Sequence, residues 1–291
     1  MKAVKAEEVK KFLRKREIDF VGIAPVERFV HAPIGRRPAD LLPEAKSVIV
    51  LGVHILTAVG RAANLAHYRR PEMRHAGFIH MLFGYVHLNR VMDTASHELA
   101  REMERKGYVT LPIPASAPND SKALYGAFSN RHAAVAAGFG ELGWHGLLLT
   151  PQYGSRVRLA SIITEAELEP DPMYSGKPLC DPKRLDCDFS CIKLCPVNAF
   201  VESETLSAVI GGREFTYAKV HKRRCTLRDF EQYPPGSEPV EIPHDITDEE
   251  WLDLVRKYGN PWHAQEQAAI GRGSRGCRCQ YECPIGGKLP T

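Results

Sequence analysis

The first 179 residues of this 291-residue chain contain no cysteine, and all eight cysteines lie beyond them. That distribution excludes a disulfide framework spread over the whole fold. In a reducing compartment, thiols gathered in one half of a chain read as metal ligands before they read as disulfides. Long apolar runs are also missing. The most apolar stretch, Val48 to Val53, is six residues, far short of the roughly 20 needed to span a bilayer. The first twenty residues are rich in Lys, Arg and Glu and lack the apolar segment of a secretory signal, so a cytoplasmic location without membrane attachment is expected. Charge of one sign is scarce too. The formal balance is +4, which permits an anionic partner without requiring one, and nucleic acid is not expected. There is no internal repeat, coiled coil or low-complexity tract. Hydrophobic residues at 44% and charged residues at 25% describe an ordered globular chain. Its length favours two domains over one.

Apolar residues in the first half recur with two periods. Val9, Phe12 and Leu13 share one face of a charged helix over residues 6–16, and Phe20 to Ala24 follows as a short strand closed by Pro25. Ser47 to Val53 is a continuous β-branched run, the pattern of a strand buried on both faces. Leu88, Val91, Met92, Ala95, Leu99 and Met103 repeat at helical spacing, with Gly107 placed for a left-handed cap. A strand over Tyr108 to Ile113 follows, so helix and strand alternate as in an α/β domain. His132 to Ala137 is helical. Leu147 to Thr150 and Arg156 to Thr164 read as two strands of a hairpin joined by Pro151-Gln152-Tyr153-Gly154. Apolar periodicity stops near Glu169-Pro170-Asp171-Pro172, which sets an expected boundary between residues 1–170 and 171–291. Within the second part, Asp248 to Tyr258 carries a capping box of Thr247 and Glu250. Ile246 and Trp251 are placed to staple this helix, and Gly259 and Pro261 to close it, as an insertion at about 226–275.

Two of the cysteines share one local grammar. Cys195 and Cys283 each follow another cysteine by four residues and precede a proline, in CIKLCP and CQYECP. In two-cluster ferredoxins a C-x3-C-P ending sends its last cysteine across to the other cluster. Two such endings therefore predict two 4Fe–4S clusters that share ligands crosswise. The expected sets are Cys180, Cys187 and Cys191 with Cys283, and Cys225, Cys277 and Cys279 with Cys195. Zinc sites would also take four thiolates each, but they normally come as C-x2-C knuckles, which are absent.

Two other patterns fail on context. Gly138 to Gly143 spells G-x-G-x-x-G, yet it follows a helix and leads into a strand, the reverse of a dinucleotide fingerprint. His97-Glu98 begins H-E-x-x-H, but Arg101 stands where the second histidine belongs.

Several segments together resemble the cobalamin-dependent epoxyqueuosine reductases and their relatives, the reductive dehalogenases. They are Asp19 to Ala24, Leu42 to Gly52, Gly126 to Gly140, Gly154 to Thr164, Arg224-Cys225 and Gly276-Cys277. The resemblance implies a nitroreductase-like α/β domain that binds cobalamin, followed by a ferredoxin-like domain whose two 4Fe–4S clusters reduce it. Clusters near roughly −400 mV suit that task. It further implies a cobalamin pocket floor of Ser129, Gly138, Gly140, Leu149, Thr150, Tyr153, Gly154 and Ser155, residue types that also serve turns and cores. No D-x-H-x-x-G is present, so a histidine lower ligand to cobalt is not expected.

One departure bears directly on chemistry. Alignment on Gly126, Ser129 and Arg131 puts Leu124 where epoxyqueuosine reductases carry their catalytic aspartate, and leucine cannot donate a proton. Tyr125 and Asp120 are the alternative catalytic acids. The chain also ends eight residues past Cys283, without the helical-repeat extension of many tRNA-acting members. Both features argue against epoxyqueuosine as substrate. The expectation is a cobalamin-dependent iron–sulfur oxidoreductase acting on a small molecule, with an external low-potential donor such as a ferredoxin or flavodoxin. The alternatives are a non-catalytic electron-transfer or corrinoid-handling protein and, after that, an epoxyqueuosine reductase in tRNA modification.

Overall fold

The computed structural model describes residues 3–64, 76–116, 124, 126–181, 187–195, 197–225, 242–243, 245–258 and 278–287. Its centre is a four-stranded sheet. Strand β1 is Phe20–Pro25 and β2 is Ser47–His54; β3 is Thr110–Ile113. Two short strands, β4 (Glu141–Leu142) and β5 (Leu148–Leu149), pair with each other, and β6 is Val157–Thr164. The central sheet runs β1-β2-β6-β3 with every neighbour antiparallel. Helix and strand do alternate along the first half, but they build an antiparallel sheet.

Strand β2 lies in the middle of the sheet, as its unbroken apolar run requires. Its side chains alternate between two cores. Val48 and Val50 point to one face and Ile49, Leu51 and Val53 to the other. The second face is covered by α1 (Ala6–Arg14) through Val9 and Leu13. Covering it as well is the long helix α3 (His87–Arg105), through Leu88, Met92, Leu99 and Met103. A shorter helix, α2 (Thr57–Asn64), adds Val59 to the same core. Gly107 closes α3 at φ 95°. The first face is covered by α4 (Asn130–Ala136) and by a long hairpin of β7 (Phe200–Ile210) and β8 (Arg213–Val220). The hairpin contributes Ile210, Phe215 and Tyr217 to that core.

The hairpin expected between Leu147–Thr150 and Arg156–Thr164 does not form. Leu149 pairs with Glu141 and Leu148 with Leu142, while β6 inserts between β2 and β3. Strand β6 is buried over most of its length, and only a central slot buries both faces of a strand. The β7–β8 hairpin was not expected. Gly211-Gly212 forms its two-residue turn, with φ of 55° and 77°, and this is the glycine pair that such a turn demands. Also unexpected is the start of the long helix. Gly77–Ile79 leads into a π-helical stretch, His80–Val86, which runs directly into α3. It sets the ring of His80 edge-on to Tyr281, 5.4 Å between centroids.

The expected boundary segment is tied to β1. Asp171 accepts a hydrogen bond from the Ile23 N–H at 2.9 Å and an ion pair from Lys10 at 2.6 Å. Beyond it, among the described residues, are three further helices: α5 (Ser190–Lys193), α6 (Asp248–Tyr258) and α7 (Arg278–Tyr281). The capping box of α6 is present, with Thr247 N–H and Glu250 N–H each satisfied by the other residue's side chain. Ile246 and Trp251 pack in one cluster, as a staple would place them. Gly259 and Pro261 lie outside the described residues. Among the described residues no helix is long and apolar enough to cross a membrane.

On α4, burial pushes His132 down to about 3, and the charge of Arg131 adds to the effect. An unfolded histidine titrates near ~6.5, so between that pH and about 3 only the unfolded chain takes up this proton. Above the upper limit neither state binds it, and the group contributes no pH dependence. Stability is therefore lost as pH falls through this window. Thermal melts of His132→Phe should fall less steeply between neutral pH and pH ~4 than those of the wild type. Parallel curves would contradict the assignment.

Candidate iron–sulfur site

Four thiols expected to share one cluster line one pocket. Cys180, Cys187 and Cys191 come from the segment leading into and through α5, and Cys283 arrives from just after α7. Trp144, His145, Phe189, Ser190, Pro284 and Ile285 complete the wall, around some 370 Å³ of empty space. Trp144 and Phe189 meet edge to face at 5.9 Å.

Cys283 reaches this pocket because the loop after β5 grips the C-terminal segment through its backbone. Ser155 donates its hydroxyl to the Gln280 carbonyl at 2.8 Å, and Gln280 returns an amide N–H to the Ser155 carbonyl at 2.9 Å. Arg156, only 5% exposed, donates to the Gly286 carbonyl at 2.6 Å. At the centre of the contact Gly154 takes φ 56°, and a side-chain carbon there would lie 2.0 Å from the Ile285 carbonyl oxygen. Gly286 is its counterpart, with φ 79° and only 2.2 Å available against the Gly154 nitrogen. Two glycines facing each other let the backbones touch.

The thiols fit a cationic inorganic core. Burial pushes Cys191 up to about 12, and repulsion from Cys283, Cys180 and Cys187 reinforces the shift. Cys283 is pushed up to about 11, by burial first, against the opposing pull of the Ile285 N–H and the Arg156 charge. Cys180 is raised by burial despite a 3.2 Å hydrogen bond from the Trp144 N–H. Left to themselves these groups would stay protonated, and an iron–sulfur core would supply the charge that makes four adjacent thiolates stable. Among the described residues no three His, Cys, Asp or Glu side chains are gathered to hold a single metal ion. Thiols that surround a space without meeting at a point fit a polynuclear cluster better than zinc.

The other four cysteines are placed less completely. Cys195 and Cys225 lie half-buried against one apolar cluster of Leu124, Val197, Ala199, Ile242, Ile246 and Trp251. The Ala199 N–H donates to the Cys195 sulfur at 3.3 Å. Cys279 is half-buried on α7, and Cys277 lies outside the described residues.

Leu124 is itself a member of that cluster, 8% exposed and at φ 54°. The position at which the resemblance implies an acid is thus an apolar wall beside two cysteines. Asp120 and Tyr125 lie outside the described residues.

The residues expected to floor a cobalamin pocket engage their own chain. Ser129 Oγ bonds His132 Nδ1 at 2.5 Å. Thr150 Oγ donates to the Gly154 carbonyl and accepts from the Tyr153 N–H. Gly138 and Gly140 take φ 85° and 158°, and side-chain carbons there would lie 2.2 Å from the Pro172 oxygen and 1.8 Å from the Leu149 oxygen. Leu149 packs with Leu179 and Cys283, and Tyr153 stacks on His54 at 4.5 Å. Their hydroxyls and close approaches are engaged within the fold. The pocket wall also contains His145, which no motif in the sequence singles out.

Comparison with known proteins accords with these features. No family model matches the chain. It is 30% identical over 197 residues to an epoxyqueuosine reductase of Gloeobacter violaceus, an alignment covering 64% of this chain and 51% of that protein. In structure it superposes on a catabolic reductive dehalogenase, NpRdhA, with a TM-score of 0.53 at 17% identity over 93% of this chain and 37% of that one. A further reductive dehalogenase structure, described as suggesting a mechanism for B12-dependent dehalogenation, gives a TM-score of 0.52 at 16% identity over 98% and 38%. The chain has the reductive dehalogenase fold and is similar in sequence to an epoxyqueuosine reductase. It spans about half the length of the curated reductase and less than two fifths of the chain in either dehalogenase structure.

Gly154→Ala tests the contact that delivers Cys283. The added carbon collides with the Ile285 carbonyl, so anaerobically reconstituted Gly154→Ala should lose part of its iron–sulfur absorbance. Gly212→Ala is the control, because it also sits at positive φ, 77°, with nothing within 4 Å. Equal loss in both variants would mean that backbone strain, and not the docked segment, is responsible.

Proposed function

We propose that this chain is an iron–sulfur oxidoreductase that passes single electrons at low potential through two 4Fe–4S clusters. The convergence of Cys283 with Cys180, Cys187 and Cys191 on one pocket carries this reading. The second cluster would be held by Cys195, Cys225, Cys277 and Cys279. Residues 171–291 then act as the ferredoxin-like part, resting on the α-and-β part of residues 1–170. An external ferredoxin- or flavodoxin-like protein would supply the electrons in the cytoplasm. A small molecule or corrinoid would accept them.

Leu124 favours electron delivery over proton-coupled chemistry at the acid position, because an apolar side chain in an apolar cluster can neither donate nor relay a proton. That observation counts against epoxyqueuosine as the substrate. A second reading, in which the chain itself binds cobalamin and reduces a substrate at cobalt, is favoured by the kinship to a protein described as B12-dependent. A bound cobalamin would supply a cobalt centre for two-electron reduction.

Protein purified without oxygen should contain iron and acid-labile sulfide in equal amounts and show a fast-relaxing electron paramagnetic signal on reduction. Zinc without sulfide would overturn the iron–sulfur reading. Gel filtration with hydroxocobalamin separates the two functional readings. Elution free of corrinoid supports the electron carrier, whereas co-elution with a shifted corrinoid spectrum supports the cobalamin reductase.

A further inference from the structure

His145 stands in the wall of the first cysteine pocket and has no role in the chemistry described so far. It is 4% exposed. Its Nδ1 accepts a hydrogen bond from the Leu147 N–H at 3.1 Å. In the neutral ring an accepting Nδ1 leaves the proton on Nε2. Nε2 is buried and has no hydrogen-bond partner among the described residues. A buried N–H without an acceptor is costly, so a native fold that keeps one normally offers it something to bond. The local sequence makes room for the ring as well. A side-chain carbon at Gly143 would lie 2.8 Å from His145 Cε1, so this glycine leaves space for the ring. The residue before His145 is already committed to the same site, with the Trp144 N–H on the Cys180 sulfur.

We propose that His145 donates its Nε2–H to a sulfur of the cluster held by Cys180, Cys187, Cys191 and Cys283, and thereby raises the reduction potential of that cluster relative to its partner. The inference rests on the iron–sulfur reading above. Each electron added to a cluster makes its sulfurs more negative, so a donated hydrogen bond favours the reduced form. His145 acts as a positioning and tuning residue, since it ligates no iron. The outcome is an ordered pair of potentials. The first cluster becomes the easier one to reduce, and the second, packed beside Leu124 and Trp251, the stronger donor.

The test is an equilibrium redox titration of anaerobically reconstituted full-length protein, followed by electron paramagnetic resonance. His145→Phe should shift one of the two couples to more negative potential by about tenfold in its reduction equilibrium, 59 mV for one electron, and leave the other unmoved. His145→Gln, which keeps an N–H donor, should restore most of the shift. Wild-type protein labelled with 15N-histidine should show nitrogen coupling to a reduced cluster, a readout that does not require the variant to fold. Absence of that coupling, or titration of His145→Phe at the wild-type potentials with full cluster content, would overturn the proposal. Failure of the wild type to bind iron and sulfide would instead defeat the iron–sulfur reading, and the two failures are distinguishable by chemical analysis.

Discussion

The contact on which the rest depends is backbone to backbone, between the loop at Thr150–Arg156 and the segment Gln280–Gly286. Two glycines at positive φ, Gly154 and Gly286, remove the side chains that would hold the strands of chain apart. Ser155, Gln280 and Arg156 then fill the seam with hydrogen bonds. Only because of this seam does Cys283 arrive beside three cysteines that belong to another part of the sequence. A site assembled this way couples its metal to the fold. Bound iron would stabilise the docked segment, and the docked segment would complete the ligand set.

Electrostatics explains why such a site demands an inorganic cation. The protein raises the proton affinity of Cys180, Cys191 and Cys283 through burial and mutual repulsion, and offsets this with only a few donors. The Trp144, Cys191 and Ile285 N–H groups are among those donors, and the Arg156 charge adds to them. A bound cluster would supply the remainder. The same few groups then act on the electrons held there, which is why a buried histidine with a spare N–H in this wall has consequences for potential.

The thiol framework was legible in the sequence, because C-x3-C-P endings encode a geometric habit, a cysteine thrown across to a neighbouring cluster. Strand β2 and helix α3 were equally legible, since burial on two faces and burial on one stripe leave different periods. The hairpin across Pro151–Gly154 was misread because β5 and β6 are close in sequence and both apolar. Nothing local announces that β6 fits between β2 and β3. The glycines of the 138–143 segment follow a helix and lead into a strand, as their context in the sequence implied. Their actual use, close approach to Pro172, Leu149 and His145, is a tertiary fact that no spacing encodes. His145 was passed over for a related reason. A lone histidine is noticed only once the fold places its ring in a pocket wall with one buried nitrogen unpartnered among the described residues.

The account stands on crosswise sharing of ligands, and a comparison of three variants tests it most directly. Cys191→Ala, Cys283→Ala and the double variant should each lose the same single cluster, with about half of the iron retained and one unchanged electron paramagnetic signal in all three. Loss of different signals in the two single variants, or loss of both clusters only in the double variant, would show that Cys191 and Cys283 serve separate clusters and would contradict the account.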